Sequence, residues 1–131
     1  MIKRISTGAS NLDELLFGRI ESNAITEFYG SAGVGKSQIC YTLAVMAAQN
    51  KKNGVVIYID TEGKFRPERL VTIARSRDLD MHTTNWLSNI LYVNAMTSYQ
   101  QEVFLKYTLN SLLENKQRTI SLLVVDSIIN N

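Results

Sequence analysis

The hydrophobic pattern of the chain alternates between short continuous apolar runs and longer segments whose apolar residues recur at helical spacing. Four runs have the length and the β-branched or aromatic character of buried strands, at residues 24–29, 55–59, 90–93 and 122–126. Strands that alternate with helices predict βαβ units. We therefore expect an α/β fold in which a parallel β-sheet is flanked by helices.

The helical segments have recognisable beginnings and ends. A short helix is predicted over residues 12–17, with Ser10 or Asn11 as its cap, and a longer one over residues 38–49. Pro67 suits the first turn of a helix that runs to about residue 75. Ser98 and Gln101 fit a capping box that opens a long helix to about residue 115, with four leucines on one face: Leu105, Leu109, Leu112 and Leu113.

Composition adds few constraints. The 131 residues are 45% hydrophobic and 20% charged, which is ordinary for one globular domain. The net charge of +2 is too small to indicate nucleic acid or membrane by itself, and no apolar stretch is long enough to span a bilayer. The single cysteine, Cys40, excludes a disulfide within the chain and agrees with a reducing compartment.

The most informative stretch is a glycine-rich loop between the first predicted strand and the helix over residues 38–49. Its members are Gly30, Ser31, Ala32, Gly33, Val34, Gly35, Lys36 and Ser37. A strand, a glycine loop that ends in Gly-Lys-Ser and a helix form the phosphate-binding loop of nucleoside triphosphatases, a P-loop (Walker A). Glycines let successive backbone N–H groups surround a phosphate, and the helix adds its positive dipole end. Lys36 would neutralise the phosphate oxygens, the Ser37 hydroxyl would bind Mg²⁺, and Gln38 follows as a further candidate nucleotide contact.

Carboxylates follow two of the other predicted strands. In open α/β sheets, ligands bind beyond the carboxyl ends of the strands. Asp126 ends the last apolar run and suits the Mg²⁺ side of a P-loop site. Glu62 suits a general base that activates the attacking water, although Asp60 competes for that role on sequence alone. Arg69 and Arg66, a few residues further on, are candidates for contacts to phosphate or to the base.

Several segments together resemble the ATPase core of the RecA superfamily, and are most similar to the archaeal RadA and eukaryotic strand-exchange recombinases. The resemblance is carried by Ile-Ser-Thr-Gly at residues 5–8, Asn-Leu-Asp-Glu-Leu-Leu at 11–16 and Ala-Ile-Thr-Glu-Phe-Tyr-Gly at 24–30. Tyr-Ile-Asp-Thr-Glu-Gly at 58–63, Phe-Arg-Pro-Glu-Arg-Leu at 65–70 and Leu-Leu-Val-Val-Asp-Ser at 122–127 extend it over nearly the whole chain.

This resemblance implies specific roles and partners. It implies that Lys36 and Ser37 hold phosphate and Mg²⁺, that Glu62 is the catalytic base and that Asp126 lies near the metal. Arg69 falls where the family places an arginine against adenine. The cofactors implied are ATP and Mg²⁺, and the activity is a DNA-dependent ATPase in recombination and repair. The implied partners are single-stranded DNA, bound through parts of the intact protein outside these residues, and other copies or recombinases in a filament.

Some departures leave alternatives open. The phosphate loop reads Ser-Ala-Gly-Val where these recombinases often carry Glu-Phe-Gly-Ser, which also fits a paralogue that binds nucleotide and regulates or loads a recombinase. A P-loop NTPase without a DNA role is a third alternative. Family members continue past the Walker B strand that ends at Asp126, so residues 1–131 are expected to be a partial RecA-like domain whose sheet has a gap. The implied compartment is the cytoplasm (nucleoid) in a prokaryote or the nucleus in a eukaryote.

Overall fold

The computed structural model describes residues 4–49, 54–79 and 85–128. Its centre is a parallel sheet of three strands in the order β4-β3-β5, formed by β3 (Gly54–Asp60), β4 (Ile90–Asn94) and β5 (Thr119–Asp126). Helices pack on both faces of this sheet. The predicted α/β fold with a helix-flanked parallel sheet is therefore confirmed.

Strand β3 is the centre of the core because it is covered on both faces and paired on both edges. All seven of its residues are buried. Alternate side chains point to opposite faces of a strand, so Val56 and Tyr58 pack in one cluster, while Val55, Ile57 and Ile59 pack in the other. This explains why its sequence is a continuous apolar run rather than an alternating one.

The helix that follows the glycine loop, α2 (Lys36–Ala48), packs with α3 (Pro67–Ser76) on the Val56–Tyr58 face of the sheet. Alanines at Ala44, Ala47 and Ala48 let α2 approach the sheet closely, and each is at most 4% exposed. Pro67 occupies the first turn of α3, where a missing N–H costs nothing. Trp86 is buried in a short 3₁₀ turn, Trp86–Asn89, that leads into β4.

The opposite face is covered by a helical segment with an irregular middle. It consists of α4 (Ser98–Val103), a π-helical turn (Phe104–Thr108) and α5 (Leu109–Glu114). The wider turn shifts the phase of the side chains, so Phe104, Leu109 and Leu112 face the sheet. The sequence predicted that four leucines share one buried face. This prediction is wrong for two of them, because Leu105 and Leu113 are exposed.

Two predicted caps are also corrected. The capping box of α4 is formed by Thr97 and Gln100, one residue earlier than the predicted pair, with both of its hydrogen bonds present. The first short helix, α1 (Ser10–Leu15), has Ala9 at its N-cap and no side-chain cap. Its start is fixed instead by Asp13, whose carboxylate accepts hydrogen bonds from the Ser6 hydroxyl and from the N–H and hydroxyl of Thr7.

The predicted first strand is the main difference between expectation and structure. Residues 24–29 form no strand, Ile25 and Tyr29 are exposed, and the segment lies outside the sheet. An apolar run favours a strand only when a neighbouring strand supplies backbone partners and a covered face. Among the described residues, β5 is paired on one edge only, by β3, and residues 24–29 do not pair with its other edge.

The amino-terminal part of the chain forms a separate sheet of two strands. Two short strands, β1 (Arg4–Ile5) and β2 (Ile20–Glu21), pair antiparallel on either side of α1. In the main sheet, β5 carries one extra residue, because Val55 is opposite Ile120 whereas Val56 is opposite Leu122. This β-bulge brings Asp126 opposite Asp60 at the carboxyl ends of the strands.

No helix in the described ranges is both long and apolar enough to cross a membrane.

Candidate active site

The glycine loop reaches α2 through two residues in the left-handed region of backbone space. Gly33 has φ 80° and Gly35, which directly precedes α2, has φ 104°. Side chains rarely adopt these angles, so glycine is required at both positions. Open space surrounds the position that a Cβ atom would take at each of them. The loop is exposed, and its backbone is free to approach a bound group closely.

The first residue of α2 places a positive charge directly over this loop. The Lys36 ammonium donates hydrogen bonds to the carbonyl oxygens of Gly30, at 2.6 Å, and Ser31, at 2.8 Å. Ser37 follows in the first turn of α2 and is exposed, and that turn contains no acidic residue. The ammonium, the unpaired N–H groups of the helix end and the positive end of the helix dipole all favour an anion here. These features fit a phosphate group.

Beyond β3, a buried carboxylate organises the next loop. Asp60 is only 3% exposed, and its oxygens accept hydrogen bonds from the backbone N–H groups of Glu62, Gly63 and Phe65 at 2.9 to 3.0 Å. The Tyr92 hydroxyl donates a fourth bond, at 3.2 Å. Burial alone would raise the pKa of Asp60, but the bonds from Phe65, Glu62 and Tyr92 outweigh it and lower the pKa. The carboxylate is ionised and fully used as an acceptor inside the protein.

Glu62 has a different environment, at the surface. The Lys64 ammonium donates to its Oε2 atom at 2.6 Å, and the Ser127 hydroxyl donates to its Oε1 atom at 2.7 Å. Lys64, and after it Ser127, holds the pKa of Glu62 below its ordinary value. Because the Lys64 side chain is 79% exposed, water or a ligand can replace it. Glu62 is therefore an ionised and accessible carboxylate, as a base acting on bound water must be.

Asp126 is supported from within the core. The Tyr58 hydroxyl donates a hydrogen bond of 2.7 Å to its Oδ2 atom. Burial and this carboxylate raise the pKa of Tyr58, so the hydroxyl keeps its proton and remains a donor. Cys40, one turn after Ser37 in α2, is half-buried, and its pKa is raised to about 12 by burial and by Asp126. Cys40 is therefore a neutral thiol that packs against the core.

Arg69 and Gln38 meet although they are 31 residues apart in the chain. The Arg69 Nε–H group donates to the Gln38 side-chain oxygen at 3.1 Å. This contact joins the start of α3 to the first turn of α2, next to Lys36 and Ser37. Two residues predicted to contact nucleotide thus lie together beside the glycine loop.

An aromatic cluster connects α2 with the loop that follows β3. The Tyr41 ring stacks on Tyr58 at 5.5 Å between centroids, and Phe65 stacks on Tyr92 at 4.4 Å. The Tyr41 hydroxyl also accepts a hydrogen bond from the Arg66 N–H group, at 3.3 Å. The packed rings place the helix that begins at the glycine loop and the loop of Glu62 on one rigid support.

The predicted residues thus form three connected groups. The glycine loop contacts Lys36, Gln38 contacts Arg69, and Glu62 is joined to the Asp126 strand through Ser127. Within the described ranges, no hydrogen bond or ion pair joins Lys36 or Ser37 to Glu62 or Asp126, and no cluster of three or more His, Cys, Asp or Glu side chains forms a metal site. Ser37 and Asp126 could contribute to a Mg²⁺ site only together with oxygens of a bound phosphate or water.

Three residues of the site were not predicted from the sequence. Ser127, Tyr58 and Tyr41 act through contacts that depend on the pairing of β3 with β5 or on the packing of α2. The sequence gives a weak indication for Tyr58, because it is the one residue with a polar group at the end of its side chain among the residues of β3 that precede Asp60. No local pattern pointed to Ser127.

Comparison with known protein families agrees with this geometry. The family model described as Rad51 matches residues 1–131, the entire length of the sequence. Rad51-family proteins are recombinases with a RecA-like core that bind ATP and DNA in recombination and repair. The parallel sheet, the glycine loop at the start of α2 and the acidic groups beyond β3 and β5 are the features that such a core requires. The chain belongs to the Rad51 family of recombinases.

Proposed function

We propose that this chain is the ATP-binding and ATP-hydrolysing core of a RadA-like DNA recombinase that acts in homologous recombination and repair. The observation that carries the proposal is the glycine loop with its two left-handed glycines, which ends in Lys36 at the start of α2. This arrangement offers backbone N–H groups, a helix dipole and an ammonium to one small region. A nucleoside triphosphate is the ligand that uses all three.

The position of each side chain supports a specific role. Lys36 lies over the loop carbonyls and is free to turn to phosphate oxygens, while Ser37 and Asp126 would supply oxygen ligands to Mg²⁺. Arg69, positioned by Gln38, would contact the adenine base. ATP with Mg²⁺ would supply the phosphoanhydride bond that water cleaves and the charge that the loop neutralises.

Glu62 is the proposed general base, and the structure gives a reason to prefer it to Asp60. The Asp60 carboxylate already accepts four hydrogen bonds within the protein, so it has no free oxygen with which to take a proton from water. Glu62 is at the surface, and one of its partners is an exposed lysine that can leave. Its lowered pKa keeps it ionised at neutral pH.

The central experiment is a titration with a fluorescent ATP analogue in the presence of Mg²⁺. We expect Lys36→Ala to weaken binding at least about 100-fold, because a charge-assisted contact to phosphate is lost. Lys116→Ala, which removes a lysine from an exposed turn, is the control and should bind like the wild-type chain. Equal affinity of the wild-type chain and the Lys36 variant would contradict the phosphate-loop assignment.

A second experiment addresses hydrolysis and DNA. Glu62→Gln keeps the size of the side chain and removes its basicity, so ATP binding should persist while turnover falls by at least about 100-fold. In the intact protein, single-stranded DNA should stimulate turnover, and homologous pairing should accompany it. Turnover at the wild-type rate in the Gln variant would remove Glu62 as the base.

The sequence of the glycine loop favours a second function, that of a nucleotide-binding paralogue that regulates or loads a recombinase, because it reads Ser-Ala-Gly-Val where strand-exchange recombinases often carry Glu-Phe-Gly-Ser. Both oxygens of Glu62 are occupied, by Lys64 and by Ser127, which suits a nucleotide-holding site as well as a resting catalytic one. Tight ATP binding without DNA-stimulated turnover or homologous pairing, together with stimulation of a separate recombinase, would favour this second function.

A further inference from the structure

The contact between Ser127 and Glu62 extends the proposed site beyond the residues assigned to it so far. We propose that Ser127 is a positioning residue, whose hydroxyl holds the Glu62 carboxylate in a fixed place between the ends of β3 and β5. The inference rests on the proposed function, since it is the role of Glu62 as a base that gives the contact its purpose. Ser127 itself would not touch the substrate.

The contact between Ser127 and Glu62 is short and joins distant parts of the chain. The Ser127 Oγ atom donates to Glu62 Oε1 at 2.7 Å, across 65 residues of chain. A hydrogen bond from a hydroxyl to a carboxylate is charge-assisted and among the stronger side-chain contacts. One side of the carboxylate is therefore held by an uncharged donor that leaves its negative charge intact.

Ser127 is itself held firmly by Thr61. Its N–H group donates to the Thr61 hydroxyl oxygen at 2.9 Å, and the same hydroxyl donates to the Ser127 carbonyl at 2.6 Å. The Thr61 N–H group also donates to the Asp126 carbonyl at 3.0 Å. Thr61 is only 3% exposed, so water competes poorly for these bonds. The residue before Glu62 is thus tied to Asp126, the last residue of β5, and to Ser127, which follows it.

The two carboxylate oxygens of Glu62 have different partners. Oε1 is bound to the internally held Ser127, whereas Oε2 is bound to the exposed ammonium of Lys64. An exposed ion pair is weak and exchanges with water, but the Ser127 side is anchored by the buried Thr61. When Lys64 leaves, Oε2 faces water while Oε1 stays in place. This arrangement orients one oxygen of a base without blocking the other.

The test measures the Glu62 side chain directly. In a chain labelled with ¹³C at glutamate side-chain carboxyls, NMR follows each carboxyl signal as the pH is lowered, and Glu62→Gln identifies the Glu62 signal by its loss. We expect Ser127→Ala to raise the pKa of Glu62 towards its ordinary value, because a donor to the ionised form is lost. Ser127→Thr, which keeps the hydroxyl, should restore the wild-type titration.

Ser121→Ala is the matched control, because it removes a serine hydroxyl from β5, the strand that leads to Ser127. The Ser121 Oγ atom donates to the Val55 carbonyl at 3.2 Å, and Ser121 lies six residues before Ser127. A Glu62 titration in Ser127→Ala that coincides with those of the wild type and Ser121→Ala would overturn the proposal. A shift of the same size in Ser121→Ala would also overturn it, since the effect would then be a general loosening of β5.

A second readout separates positioning from structural support. In turnover measurements, Ser127→Ala should lower kcat about tenfold with KM unchanged, because a displaced base affects the chemical step and not nucleotide binding. A rise in KM with kcat unchanged would count against a positioning role. The titration uses the nucleotide-free chain, so its result is independent of ATP binding. Failure of the Lys36 experiment would overturn the proposed function, whereas failure of the titration would overturn the role of Ser127.

Discussion

The two loops that lead to the candidate site are held in different ways. The loop after β3 is built around the buried Asp60 carboxylate, which binds three of its N–H groups, and Phe65 anchors it in the aromatic cluster. The glycine loop follows an exposed segment, residues 24–29, and its own contacts are those of Lys36 with two carbonyl oxygens. One loop is shaped by the interior of the protein, and the other has the form of a receptor for an anion.

This difference shows that one site can contain a loop that is held by the protein and a loop that the ligand would hold. Groups that must keep a fixed geometry, such as Glu62, gain from internal hydrogen bonds that exist before ligand binds. Groups that surround a highly charged ligand can stay exposed, because the ligand itself supplies the contacts that fix them. Variants of the two regions should therefore differ in how much they change stability.

Replacing Asp60 by Asn should have the largest effect, because it removes the centre of the preformed loop. The amide keeps the shape of the side chain but accepts hydrogen bonds with one oxygen only, so some buried donors lose their partner. We expect the free energy of unfolding, measured in urea, to fall by about 2–3 kcal/mol. Glu114→Gln makes the same chemical change at an exposed helix end and should cost less than about 0.5 kcal/mol. Equal losses in the two variants would show that the loop is not organised by Asp60.

The stability that the Asp60 carboxylate contributes should depend on pH. The pKa of Asp60 is lower in the folded chain than in the unfolded one, so its contribution to stability is present above the ordinary carboxyl value of about 4 and is lost as the pH falls through the folded pKa. The difference in stability between the wild type and Asp60→Asn should therefore shrink as the pH is lowered below about 4. A difference that stays constant down to pH 2 would contradict an ionised Asp60.

Removing the Tyr58 hydroxyl should have an intermediate effect. Tyr58→Phe keeps the buried ring but leaves Asp126 without its internal donor. We expect a loss of about 1–2 kcal/mol in the free energy of unfolding. Tyr99→Phe, which deletes a hydroxyl from an exposed ring, should cost nothing measurable in the same assay. A Tyr58 variant as stable as the Tyr99 variant would mean that water replaces this contact at Asp126.

A pair of isoleucine variants compares the exposed segment with the core. Ile57 is completely buried in β3, whereas Ile25 is fully exposed before the glycine loop. Ile57→Val should cost about 1 kcal/mol, and Ile25→Val should cost close to nothing, because only the first removes buried methylene surface. Similar costs at both positions, in the same urea experiment, would mean that residues 24–29 are packed in solution.

The smallest effect is expected at Lys64. Lys64→Ala removes an exposed ion pair, so the unfolding midpoint should stay unchanged. The pKa of Glu62 should nevertheless rise towards its ordinary value, because the Lys64 ammonium is the largest cause of its lowering. NMR titration of the Glu62 carboxyl measures this, with Lys116→Ala as the control. An unchanged titration would show that the two side chains do not pair in solution.

Sequence patterns were sufficient for the elements whose environment is encoded locally. The continuous apolar run of β3, the glycine loop at the start of α2 and Pro67 in α3 all led to correct predictions, because burial on both faces, left-handed backbone and a missing N–H leave direct marks on residue choice. Asp60 and Asp126 also lie at the strand ends where the sequence places them, because each directly follows an apolar run.

The errors concern features that depend on distant partners. Residues 24–29 read as a buried strand, but a strand needs a neighbour, and composition does not reveal whether one is present. Thr97 with Gln100 and Ser98 with Gln101 both fit a capping box, so the pattern alone could not choose between them. No sequence pattern predicted the π-helical turn that precedes α5, so the exposure of Leu105 and Leu113 was not expected. The roles of Ser127 and Tyr58 arise only when β5 lies beside β3.

The extra residue in β5 has a consequence for how this site could change by mutation. Without the bulge, the pairing of Val55 with Ile120 would continue in step, and Val125 would lie opposite Asp60 in place of Asp126. A one-residue step along a strand also turns every following side chain to the other face. The placement of Asp126 opposite Asp60 is therefore set by the extra residue at Ser121, five residues before Asp126. A deletion there would rearrange the site without altering any residue in it.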